Sequence, residues 1–353
     1  MSDSLRLSGN ENPPSPQWET DFLGPDYVVR YLPLGTDPDG EGSLRAALVH
    51  HQPATDSTAA ATKGTAILHV HGVTDYFFHT HVAEHFRALG IDFFAIDLHK
   101  CGRAHLDGQT WHYESDLRHY YDELAQAATI ALEHNERLVL LAHSTGGLIV
   151  ANWLDHLRSR NDPLAAKIAG AIFNSPWLDM IVPIPLARTV APIIKFMGKK
   201  WPRRSLPSKS NSAYGDALHS SRFGSWDYDL SFKPLAGHTK YMGWLRSVVK
   251  SQERLHAGKI NCGVPVLTLC SAESSTGKPF SERSQSTDAV LNVTQIRRWA
   301  PFLADSSTVE AIPGAVHDVF LSAPTPRSQA FRTTDLWLAA ILPPGAMNFP
   351  ARS

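Results

Sequence analysis

The chain predicts an α/β protein built on a mostly parallel sheet, and three observations carry that prediction. Between residues 65 and 177, β-rich runs alternate with stretches at helical spacing, the signature of strands joined by crossover helices. The run TAILHVHG at 65–72 is apolar almost throughout, as expected of a strand covered on both faces. The alternation breaks near residue 178 and resumes at 264, so the intervening stretch is an insertion into one sheet rather than a separate domain.

Taken in order, YVVRYLPL (27–34) and SLRAALVHH (43–51) flank a Pro/Gly/Asp turn and predict an antiparallel hairpin. DSTAAATKG (56–64) predicts a small-residue loop, residues 80–89 a helix and DFFAIDL (92–98) a strand. Residues 114–135 predict a helix with Ser115 as a candidate N-cap. RLVLLAH (137–143), a helix over 146–160 and a strand over 167–177 follow. After the insertion come VPVLTLCS (264–271), a helical piece at 293–304, STVEAIPG (307–314) and a last helix at 326–341.

Composition narrows the class. With 353 residues, 43% hydrophobic and 19% charged, the chain reads as a soluble globular protein. Its formal net charge of −1 leaves no basic field to hold nucleic acid. Cys101, Cys262 and Cys270 are too few and too scattered for a disulfide framework. A reducing, cytoplasmic compartment is the expectation. The first residues carry no apolar signal core, no window reaches the roughly 18 apolar residues of a membrane span, and residues 1–25 read as a polar arm.

One stretch suggests chemistry. In LLAHSTGGL (140–148) an apolar run meets a serine followed by small residues. Ala142-His143-Ser144-Thr145-Gly146 fits the pattern G-x-S-x-G with alanine first. The turn is so tight that larger side chains two before and two after the serine would strike backbone. The serine then stands alone above the sheet, facing the positive end of the next helix. The plain alternative is a serine capping a core helix.

VHGVTDYFFHTHVAEHFRALGIDFFAIDLHKCGRA (70–104), AHSTGG (142–147) and IPGAVHDVF (312–320) together resemble the α/β-hydrolase superfamily, most closely its monoacylglycerol lipase and lysophospholipase-like branch. The resemblance covers most of 65–175 and 262–342, but not 178–260 or the first 25 residues. It implies an eight-stranded, mostly parallel sheet flanked by helices. The core would comprise 26–177 and 261–345, with a mainly helical cap, 178–260, inserted after the sixth strand. It also implies a Ser, acid, His triad in that chain order, acting on esters through an acyl-enzyme. Family members often carry glycine where Ala142 stands, and the segment after the seventh strand is richer here in Ser and Thr.

Within that resemblance Ser144 is the nucleophile and His317, in a loop before the last helix, is the base. Glu273, Glu282 and Asp288 are the candidate acids after the seventh strand, and Asp288 in STDAVLNV is favoured. Asp179 is the rival position and a helix cap the plain role for Asp288. The N–H groups of Val73 and Thr145 are the expected oxyanion donors. His71, Gly72 and His143, together with Phe223, Trp226 and Tyr228 of the stretch 214–234, are expected to border the substrate, with His71 holding its loop. His79, His81 and His85 have partial metal spacing, but no ligand set is completed; no metal and no cofactor are expected.

In the insertion, residues 186–204 set Leu186, Val190, Ile193 and Met197 on one helical stripe and Arg188, Lys195 and Lys199 on another. Pro192 is expected to kink or restart that helix. The plain reading is a cap helix packed on the core. The sharper one is a lid over an acyl pocket that touches lipid surfaces transiently through its basic side. The expected activity is hydrolysis of a small-molecule acyl ester, of monoacylglycerol or lysophospholipid type. A lactone or carbon–carbon bond hydrolase, an acyltransferase and a non-catalytic ligand-binding relative remain alternatives. Oligomeric state stays open.

Overall fold

The computed structural model of the chain describes residues 17–52, 64–180, 184–206 and 212–348, with 184–188 given by backbone alone. Residues 1–16 of the expected arm, most of the loop at 56–64, and the side chains of Leu186 and Arg188 lie outside the described residues.

The expected hairpin forms from β2 (Tyr27–Thr36) and β3 (Ser43–His51). It continues into β4 (Gly64–Val70), β5 (Asp92–Asp97), β6 (Asn135–His143), β7 (Ile168–Asn174), β8 (Val266–Ser271) and β9 (Ser307–Ile312). With a two-residue edge strand β1 (Glu19–Thr20), the sheet has nine strands in the order β1-β2-β3-β5-β4-β6-β7-β8-β9. The ninth strand beyond the expected eight is therefore β1. Every pairing from β5–β4 through β8–β9 is parallel, and the three at the other edge are antiparallel.

The strands are apolar throughout because both faces are covered. Along β6, Leu138, Leu140 and Ala142 enter the core formed with α2 (Tyr121–Ala131), α3 (Thr145–Ser159) and α6 (Met242–His256). Val139 and Leu141 enter the opposite core, with α1 (Thr80–Ala88) and α8 (Pro324–Ile341). The two-residue alternation of a strand sends neighbouring side chains to opposite layers.

Helix α2 is shorter than its periodicity suggests. A 3₁₀ turn, Leu117–Tyr120, precedes it, and Asp116 rather than Ser115 caps that turn by accepting from Arg118 N. Ser115 instead gives its backbone N–H to Asp39, and Glu114 turns inward to His99.

The arm is also firmer than expected from residue 17 onward. Trp18 packs against His50 and Phe94. Arg103 is buried and donates to Asp21 at 2.6 and 2.8 Å, to Asp97 at 2.8 Å and to the Phe77 carbonyl at 2.9 Å. Asp97 also accepts from the backbone N–H of Phe77 and Arg103. This closed network ties the N-terminal segment and the loop after β5 to the sheet.

The 178–260 segment lies between β7 and β8 and carries α4 (Ile184–Lys200), α5 (Ala213–Leu218) and α6. α4 runs on through Pro192, where a kink or restart was expected. Its inward stripe is the buried Ile194 with the half-buried Val190 and Met197, packed against Met242 and Val249 of α6. Ile193, expected on that stripe, is 57% exposed. Among the described residues no helix is long and apolar enough to cross a membrane. Cys101, Cys262 and Cys270 are all buried and free.

Candidate active site

Ser144 joins β6 to α3 with φ 52 and ψ −118, a backbone state that costs energy for any residue but glycine. The neighbours explain how it is held. A Cβ on Gly146 would lie 2.3 Å from the His71 carbonyl oxygen, and one on Gly147 would lie 2.7 Å from Pro176 Cβ. Both glycines are required by close approach, as the sequence pattern anticipated for the first of them. The Ser144 N–H donates to the Asn174 carbonyl at 3.0 Å, which stitches the bend to β7.

His317 sits between β9 and α8, and its Nε2 lies 3.0 Å from Ser144 Oγ. Its Nδ1 lies 2.9 Å from Asp288 Oδ2. Ser144, His317 and Asp288 are 6%, 2% and 0% exposed. The other Asp288 oxygen accepts from the backbone N–H of Val290 and Leu291, both at 2.8 Å. Asp288 therefore caps a tight turn, whereas the next helix, α7 (Val293–Trp299), is capped by Asn292. Asp179, the rival acid, accepts from Met180 N and Trp299 Nε1 rather than from His317. It borders a separate cavity of about 400 Å³ between α4 and α6 that does not contain Ser144.

The Ser144 cavity is about 180 Å³, and Val73, Tyr214, Tyr228, Lys233 and Lys240 share its wall with His317. Val73 follows Gly72, where a Cβ would come within 2.9 Å of Ser144 Cβ. Thr145 opens α3, so its N–H has no partner within the helix. His71 uses both ring nitrogens on backbone, Nδ1 on the Gly72 carbonyl at 2.6 Å and Nε2 on Leu98 N at 3.0 Å. It shapes the loop and does not line the cavity, contrary to its expected place beside the substrate. His143 does line it, with Nδ1 on the Asn174 carbonyl.

Phe223 and Trp226 correct the expectation for the insertion. Phe223 stacks on Phe280 and is 59% exposed, while Trp226 donates to the Leu321 carbonyl and stacks on His81. Tyr228, expected with them, does line the cavity, and Tyr214 completes the aromatic wall. Tyr214 meets the His317 ring edge-on at 5.4 Å.

The three spaced histidines have separate partners. His79 meets Asp318, His81 the Phe320 carbonyl and His85 Asp335, so they do not converge on an ion. His79 is itself buried. Among the described residues one set, Asp39, Glu114 and His119, brings donor atoms within 4.8 Å of one another. Its members already bond to protein groups and none lines the Ser144 cavity.

Sequence reasoning missed Asp318. Its carboxylate accepts from Asn174 Nδ2 at 2.6 Å, from His79 at 3.0 Å and from Phe320 N at 3.0 Å. Burial acts to raise its pKa, but His143 and these bonds hold it well below the usual range. It anchors the His317 loop to β7. The only signal was an acidic residue directly after the predicted base.

Residues 61–321 match the family model described as serine aminopeptidase, S33. The chain belongs to the serine aminopeptidase S33 family. No curated protein matches this S33 chain by sequence. A soluble variant of monoglyceride lipase from Saccharomyces cerevisiae, in complex with a substrate analog, is similar in fold. Its TM-score is 0.58 at 15% identity, over 97% of each chain. The monoacylglycerol lipase of Paleococcus ferrophilus gives 0.57 at 18% identity, over 89% of this S33 chain and 99% of its own. A thermostable carboxyl esterase from Bacillus coagulans gives 0.58 at 14%, over 89% and 98%. These likenesses establish the α/β-hydrolase fold.

The histidines of this S33 chain predict a stability maximum near neutral pH. Burial holds His143 and His81 down at about 4 and pushes His69 and His112 well below their ordinary value. Their neutral forms stabilise the fold above about pH 6.5, and that stability is lost as pH falls toward 4. His143 alone accounts for up to about 3 kcal/mol. His99 has the opposite sign. Burial lowers it, but Glu123 and Glu114 outweigh that and raise it to about 9. Its contribution is complete below about pH 6.5 and disappears as pH rises through 9. Urea midpoints measured from pH 4.5 to 9.5 are expected to peak at pH 6.5–7, with the steeper fall on the acid side. A flat profile would contradict this assignment.

Proposed function

We propose that the chain is a serine hydrolase of carboxylic esters, of the monoacylglycerol, lysophospholipid or similar acyl-ester type. The observation that carries this reading is the unbroken, buried relay from Ser144 Oγ through His317 to Asp288 at the wall of a cavity. His317 Nε2 takes the Ser144 proton as Oγ attacks the ester carbonyl carbon. The carbonyl oxygen becomes an oxyanion received by the N–H groups of Val73 and Thr145. Losing one such donor typically costs about 3 kcal/mol of barrier. The C–O bond to the alcohol then breaks, the alcohol leaves with the proton from His317, and the acyl group stays on Ser144. Water, deprotonated by His317, attacks that acyl-enzyme and frees the acid. Asp288 keeps the imidazole oriented and stabilises its charged form. The 178–260 segment acts as a cap, roofing the site with Tyr214, Tyr228 and Lys233.

The family name refers to an aminopeptidase, but the cavity favours esters over peptide N-termini. A free α-ammonium group needs a carboxylate, and among the described residues the one carboxylate on the cavity wall, Asp75, is already engaged by Lys233.

The test is a panel of p-nitrophenyl esters from acetate to laurate, glyceryl monoesters and an aminoacyl-p-nitroanilide. Esters are expected to turn over with a chain-length optimum. Cleavage of the anilide alone would overturn the proposal.

A further inference from the structure

The triad leaves the charge of the cavity unexplained. Among the described residues Asp75, Lys233 and Lys240 bring charge to its wall beside the nucleophile. Lys233 Nζ donates to Asp75 Oδ1 at 2.5 Å, and both side chains are buried. Burial acts to raise the Asp75 pKa, but Lys233 and the nearby histidines hold it well below the usual carboxylate range. As a unit this pair is neutral.

Lys240 has no such counterpart. Among the described residues no carboxylate forms an ion pair with it, and its polar contact is the His238 carbonyl at 3.5 Å, which is at the limit of a hydrogen bond. Burial draws its pKa down, and no charge opposes that effect. Its position is also specific. A Cβ on Gly237 would lie 3.4 Å from Lys240 Nζ and 3.3 Å from Thr74 Oγ1, so ammonium and hydroxyl flank one face of Gly237. Thr74 directly follows Val73 and holds φ 55, which is costly for a β-branched residue. The ammonium thus stands next to the loop proposed to receive the oxyanion.

Lys240 is half-buried and lines the cavity, and a cation so placed without a counter-charge is a ready partner for an anion entering there. Resting on the ester-hydrolase reading above, we propose that the substrate carries an anionic group, a carboxylate or a phosphate, which Lys240 receives while Ser144 attacks the ester carbonyl. A lysine suits either anion because it binds as a point charge. Lys233 is then a positioning residue that neutralises Asp75, whose free charge would repel the anion. A wholly neutral ester would leave Lys240 uncompensated.

Two matched substrate pairs test this and locate the charge. p-Nitrophenyl hemiglutarate against p-nitrophenyl valerate places a carboxylate on the acyl side. 1-Butyrylglycerol 3-phosphate against 1-butyrylglycerol places a phosphate on the alcohol side. The readout is the ratio of kcat/KM, anionic over neutral, which does not depend on how much of a preparation is active. One pair is expected to give a ratio of roughly tenfold or more at low salt, shrinking in about 0.5 M salt. Lys240→Met is expected to bring the ratio to about one, and Lys240→Arg to keep much of it. Wild-type ratios at or below one in both pairs, or an unchanged ratio in Lys240→Met, overturn the inference. Turnover of the neutral esters with no anionic preference sinks this inference alone. Absence of turnover on every ester sinks the ester reading with it.

Discussion

Replacing Ser144 with alanine is expected to lower kcat for ester hydrolysis roughly 10⁴-fold or more. The relay explains the size of the effect. Ser144 Oγ is the atom 3.0 Å from His317 Nε2, and it borders the cavity. Without it the bond-forming step has no nucleophile except water, which the imidazole does not position at that point. Alanine retains the Cβ, so the bend between β6 and α3 and its glycine contacts persist. The substrate pocket should therefore survive, leaving KM close to wild type and the unfolding midpoint little changed. Steady-state kinetics on a p-nitrophenyl ester, with a urea melt on the same preparation, checks both halves. A variant that folds normally and keeps more than a tenth of wild-type kcat would contradict the assignment.

The second large effect separates two carboxylates. Asp288→Asn is expected to lower kcat by roughly 10⁴, whereas Asp179→Asn should leave kcat within about twofold, because Asp179 does not bond to His317 and so takes no part in the relay. The hydrogen bonds of Asp288 dictate the mechanism. One oxygen accepts from Val290 N and Leu291 N, so in asparagine that position must remain the carbonyl. The amide NH₂ is then forced onto the side facing His317 Nδ1. Nδ1 must become an acceptor, the ring proton moves to Nε2, and Nε2 can no longer take the proton of Ser144. Asp179 bonds to Trp299 and Met180 instead and has no route to the imidazole. Parallel kcat measurements on the two variants decide the matter, and equal losses would contradict it.

What could be read from the sequence follows from how local each constraint is. Ala142, Ser144 and Gly146 were legible because the elbow is a steric problem solved within five residues. The apolar runs of β4 and β6 were legible because burial on both faces leaves no alternation. His317 and Asp288 were legible only through chain order and resemblance, since 29 residues of sequence say nothing about a 2.9 Å contact. The insertion was the least readable part. Aromatic content pointed to Phe223, Trp226 and Tyr228, but composition does not say which ring faces inward, and of these three Tyr228 does so, joined by Tyr214. Helical spacing placed Ile193 on the buried stripe, one position from Ile194, which packs against α6. Lys233 and Lys240 gave no signal in the sequence, because their place on the cavity wall is created by tertiary approach to Asp75 and Thr74. Asp21 read as part of a polar arm for the same reason, until Arg103 is seen across from it.

The central claim is that one hydroxyl in this molecule is activated for attack on a carbonyl. Treatment with a fluorophosphonate followed by intact-mass and peptide mapping addresses it directly. The expected result is a single adduct on the peptide containing Ser144, absent from Ser144→Ala and strongly slowed in His317→Ala. An unlabelled Ser144 in a preparation that still hydrolyses esters, or an adduct on another residue, would contradict the account.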